Sequence, residues 1–139
     1  MRIASMLIFF LGALLLPAQQ PGAKINKVPA ESTPADSGKA MFGAYCASCH
    51  GLDGKGGGPA AAALKVQPVD LTQLARKNGG KYPSMEVISS IKDGAANAHG
   101  SKDMPVWGPI LLSVSPNGGP VVQLRVSNLS TYIESLQAK

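Results

Sequence analysis

Cysteine and histidine are nearly absent from this chain, with two of each among 139 residues. Two cysteines permit one bridge at most, so disulfides cannot be the framework of the fold. Aromatic residues make up 5% and charged residues 15%, and basic residues nowhere gather into a run. That argues against the basic, aromatic-laced surface by which proteins hold nucleic acid. Beyond the first 18 residues, no apolar stretch approaches the roughly 20 residues a membrane span requires. No segment repeats at any period. Glycine and proline, by contrast, are plentiful at 16 and 11 residues.

Both cysteines and one of the two histidines fall within five residues, Cys46-Ala47-Ser48-Cys49-His50. This C-x-x-C-H run is the signal for covalent c-type haem attachment. Two thiols that add to the two vinyl groups of one haem must lie about one helical turn apart on one side of the backbone. The histidine that follows at once places its imidazole under the iron. Other readings are weaker. A redox C-x-x-C belongs in a βαβ pattern, and no apolar strand run precedes Cys46. A zinc site would need His99 as its fourth ligand, with the adjacent Cys49 and His50 both reaching one tetrahedral centre. A disulfide across two intervening residues closes a loop too small to stabilise much.

Residues 1–18 read as a secretory signal. Arg2 supplies the positive start, Met6 to Leu16 the apolar run, and Pro17-Ala18 a small residue at which to cut. Leu16 is not the small residue usually found two positions before the cut, so cleavage after Ala23 is an alternative. An uncleaved anchor is the competing reading, although the run is short for a span. Residues 19–35 hold three prolines and no aromatic, and read as a flexible tether. Residues 36–139 then form one small domain. Removing residues 1–18 takes away Arg2 and leaves 12 basic against 8 acidic residues. These charges are spread along the chain, as on a solvated surface, with a docking patch the sharper alternative.

Asp36-Ser37 predicts the cap of a helix reaching about Ala47, with Ala40, Met41, Ala44 and Tyr45 at helical spacing and Phe42 beside them. Residues 51–58 carry five glycines among eight and predict a loop on the proximal side of the haem; the G-K-[ST] ending of a phosphate loop is absent. Short helices are expected over 60–66 and 70–76. Another is expected over about 85–92, with Met85, Ile88 and Ile91 inward. The prolines and glycines of residues 109–120 predict a loop. Residues 121–137 predict a helix whose stripe, Val122, Val126, Leu129, Ile133 and Leu136, packs on the helix before Cys46.

With these residues placed, the chain resembles the class I cytochromes c over about residues 36–139. The resemblance rests on Gly38 and Phe42 ahead of Cys46-x-x-Cys49-His50-Gly51, on Met104-Pro105-x-Trp107-Gly108, and on the last helix with Tyr132 and Leu136. It implies an all-α cytochrome c fold, four to five short helices wrapped around one covalently bound haem, with first and last helices crossing near Gly38 and Tyr132. It implies haem c held through Cys46 and Cys49, and His50 and Met104 as its axial ligands. Pro59 would accept the free N–H of His50 through its carbonyl, and Trp107 would lie near a haem propionate. The long glycine-rich stretch and the extended segment after Gly108 depart from the compact members. His99 is the rival sixth ligand, since imidazole binds iron strongly and sits five positions before Met104. Met41, on the helix that carries the haem motif, is poorly placed to cross to the far side, and Met85 is better explained as core.

A histidine–thioether pair fills both axial positions, so the implied activity is one-electron transfer and not catalysis. The expected setting is periplasmic, between a donor and an acceptor protein, with membrane association only if the N-terminal segment stays uncleaved. The alternative is a haem subunit held permanently in a dehydrogenase or terminal oxidase. A third reading, a peroxidase or sensor with a labile sixth ligand, requires the iron to open.

Overall fold

The computed structural model describes residues 30–94, 103–115 and 117–138. The signal segment, His99 and the site of signal cleavage lie outside them. Among the described residues the chain is helical, with no strand. Helix α1 runs without a break through an α-turn (Gly38–Met41), a π-helical turn (Phe42–Cys46) and a last α-turn (Ala47–His50). A single 3₁₀ turn (Ala61–Ala63) follows. Helix α2 begins as 3₁₀ (Leu71–Gln73) and continues as α (Leu74–Lys77). Helices α3 (Ser84–Asp93), α4 (Trp107–Ser113) and α5 (Gly119–Ser135) complete the fold.

Ser37 starts α1 as expected, its hydroxyl accepting from the Ala40 N–H and so satisfying one of the orphan donors of the first turn. Met41, Phe42 and Tyr45 are buried, while Ala40 and Ala44 face solvent. Ala40 lies ahead of the π-turn, in the first α-turn; for Ala44 the difference from the simple helical reading comes from the π-turn. It takes in one residue more than an α-turn, and so resets the face that later residues present.

The core lies where α1 crosses α5. Gly38 permits the crossing: a Cβ there would stand 2.1 Å from the Asn128 carbonyl oxygen and 2.8 Å from Tyr132 Cβ. One turn along, the rings of Phe42 and Tyr132 meet with centroids 5.3 Å apart. The stripe predicted for α5 is inside, with Val122, Val126, Leu129 and Ile133 all buried. Val87 and Ile91 of α3 and Leu111 of α4 close the cluster.

Two expectations about elements are corrected. Residues 107–113 are a helix, not a loop. Pro109 falls in its first turn, where a missing N–H leaves no bond unmade. Met85 is 72% exposed; it opens α3 on the outer face, and Val87 takes the core position. The described residues ahead of α1 are held to the domain as well. The Thr33 carbonyl accepts from Arg125 at 2.7 Å and the Ala35 carbonyl from Asn128 at 2.9 Å, which fastens this lead to α5.

Candidate haem-attachment site

Cys46, Cys49 and His50 come together on the last turns of α1, as their spacing requires. Both cysteines are unbridged and half-buried. Burial pushes the Cys46 thiol up to about 12, and the neighbouring Cys49 pushes in the same direction.

The glycine-rich loop serves this helix end. The last turn of a helix leaves carbonyls without intrahelical partners. Here the N–H groups of Gly51, Ala60, Gly58 and Gly56 bond the carbonyls of Ala47, Ser48, Cys49 and His50, at 2.9, 2.8, 3.0 and 2.7 Å. Side chains would prevent this. A Cβ on Gly58 would meet the Ser48 carbonyl oxygen at 2.4 Å. Gly56 lies at φ +89°, and a Cβ there would meet the Pro68 oxygen at 2.3 Å.

That second approach brings residues 68–71 alongside the histidine. The Leu71 N–H bonds the Gly54 carbonyl at 2.8 Å, and His50 Nδ1 lies 3.2 Å from the Val69 carbonyl oxygen. A carbonyl only accepts, so Nδ1 carries the proton and Nε2 the lone pair that a metal would take. The acceptor found for this nitrogen is therefore Val69, in the role expected of Pro59. Pro59 instead sits exposed at the turn leaving the glycine loop. A backbone carbonyl has no side-chain signature, which is why the sequence did not single out Val69.

Met104 is half-buried and packs against the core cluster, as does Trp107. Trp107 stacks on Tyr45 with ring centroids 5.1 Å apart and planes 30° from parallel. Tyr45 immediately precedes Cys46, so this stack joins the segment carrying Met104 to the attachment helix. Met41 is fully buried. Two thiols one turn apart and an imidazole whose tautomer is set fit a covalently bound macrocycle.

Arg125 was missed. It is 3% exposed and lies three residues after Val122 and four before Leu129, on the apolar stripe itself. That placement was the available signal.

Residues 33–114 match the family described as cytochrome C oxidase, cbb3-type, subunit III. Cytochrome c-554(547) of Halothiobacillus neapolitanus is 30% identical over 105 residues, which cover 74% of this chain and 97% of that protein. Among solved structures, a chain of the reducing HAO-like protein complex of Kuenenia stuttgartiensis superposes with a TM-score of 0.52 at 20% identity. The match covers 87% of this chain and 53% of that one, so this chain spans about half its length. At that identity the likeness is one of fold.

Proposed function

This chain belongs to the c-type cytochromes, in the family described as cytochrome C oxidase, cbb3-type, subunit III, and from that membership we propose that it carries single electrons in the periplasm, with His50 and Met104 as axial ligands. It binds haem c covalently, through Cys46 and Cys49. Bound there, the haem supplies an iron that alternates between ferric and ferrous states and so takes up and gives off one electron. The protein's part is to hold, orient and shield. The observation that carries this reading is the His50 Nδ1 contact with the Val69 carbonyl at 3.2 Å, which leaves the lone pair on Nε2, the nitrogen that would bind the iron.

Support for Met104 is its half-buried place against the core, beside Trp107, and the restraint that Pro105 puts on its backbone. A thioether favours ferrous iron and raises the potential relative to a nitrogen ligand. The test is spectroscopic. Ferric wild type should show the weak near-infrared charge-transfer band of sulfur–iron ligation. Met104→Ala should lose it, lower the potential and let carbon monoxide bind the reduced protein. Survival of the band in Met104→Ala, or a change only in His99→Ala, would reject the assignment.

The family description favours a second reading, in which this chain is a permanent haem subunit of a terminal oxidase. Purification from membranes under mild conditions separates the two. A carrier should elute alone, and a subunit should elute with a large redox partner.

A further inference from the structure

Arg125 is buried, yet its hydrogen-bond partners are all neutral oxygens. Its Nε donates to Ser115 Oγ at 3.1 Å, one terminal nitrogen to Thr33 Oγ1 at 3.0 Å, and the other to the Thr33 carbonyl at 2.7 Å. Both arms lead towards the attachment site. On the first, Ser115 Oγ donates to the Leu111 carbonyl at 2.6 Å, which anchors the end of α4, the helix that Trp107 begins. On the second, Thr33 Oγ1 lies 2.8 Å from the Tyr45 hydroxyl, and that hydroxyl donates to the Glu31 carbonyl. Tyrosine has one proton to give, so Thr33 donates to Tyr45 and Arg125 to Thr33, and the donors run in one direction. The two arms meet again where Tyr45 stacks on Trp107. Met104 is three residues before that tryptophan and Cys46 one residue after that tyrosine.

From this closed circuit we infer that Arg125 is a positioning residue for the sixth iron ligand, acting through Thr33 and Tyr45 on one side and Ser115 and α4 on the other. This rests on Met104 being that ligand. The guanidinium is suited to the task because its planar fork holds two directions at once; a lysine ammonium would keep the charge and lose the fork. Opening the circuit frees the Tyr45–Trp107 stack, and with it the segment that delivers the sulfur.

The experiment uses the full-length holoprotein and reads the near-infrared band and carbon monoxide capture by the reduced protein. Arg125→Lys and Tyr45→Phe should each weaken the band and raise capture about fivefold, the order expected for one lost hydrogen bond. The double variant should do little more than either alone, because one circuit can be opened only once. Asn128→Ala is the control. It frees the same lead segment at Ala35 without touching the circuit, and should lower the unfolding temperature while leaving the band in place. An unchanged band in both Arg125→Lys and Tyr45→Phe, fully additive effects, or an equal loss in Asn128→Ala would overturn the inference. Thr33→Val, at a half-buried position of the lead, gives the same reading should Arg125→Lys not accumulate. Persistence of the band in Met104→Ala would identify a failure of the ligand assignment instead.

Discussion

A single methyl group at residue 38 is enough to part the first and last helices. Alanine normally gains about 1 kcal/mol over glycine inside a helix. Here its Cβ would lie 2.1 Å from a backbone oxygen of α5, an atom that cannot rotate away. Overpacking of that kind costs about 1–3 kcal/mol, so Gly38→Ala should lower the stability of the holoprotein in denaturant titration. Tyr82 acts at the same scale. Its hydroxyl donates to the Ser130 carbonyl at 2.9 Å, pinning the turn before α3 to α5. Tyr82→Phe should cost about 1 kcal/mol at neutral pH. Burial, with a smaller push from Glu134 and against the opposing Ser130 bond, raises the Tyr82 phenol from 10.0 to about 12. Its contribution is therefore whole below pH 10 and is lost as pH rises towards 12. The gap between wild type and Tyr82→Phe in unfolding curves should close over that interval.

Elements show where sequence reasoning succeeded and where it could not. The stripe on α5 and the cap at Ser37 were legible because each is a local pattern, a period or a side chain next to the N–H it serves. Helix α4 was misread because Pro109 was weighed as a breaker, and only its place in the first turn makes it harmless. The π-turn at Phe42–Cys46 leaves no compositional trace, so the exposure of Ala44 could not be foreseen. Asp70 is a cap that the sequence placed only as the start of a helix. Its carboxylate accepts from the Thr72 N–H at 2.9 Å and the Thr72 hydroxyl at 2.6 Å. Those bonds, chiefly the hydroxyl, hold its pKa below 3.8. Asp70→Ala should cost about 1 kcal/mol at neutral pH. A depressed carboxylate contributes above its unfolded pKa and loses that contribution as pH falls through its folded one. The deficit of Asp70→Ala should shrink accordingly in acid unfolding measured below about pH 4.

For the whole molecule, the balance is between a small core and a large group to be covered. Many apolar side chains packed against the core, among them Leu74, Ile88 and Met104, are only partly buried by protein. A domain of this size buries a modest share of its surface unaided, and a group bound only by the folded chain shifts the balance towards folding. The haem-free chain should show much less helix by circular dichroism than the holoprotein, and equal helicity in the two would show that the core closes unaided. The contact between α1 and α5 adds a matter of timing. The bonds from Arg125 to Thr33 and from Asn128 to Ala35 join residues 92 and 93 positions apart. Contacts so distant along the chain form late, after the intervening loop has been closed. Synthesis runs from the amino end, so the two thiols emerge long before the helix that completes their enclosure. A haem joined to Cys46 and Cys49 before that contact forms would meet an open peptide, and the last helix would then close over a group already in place.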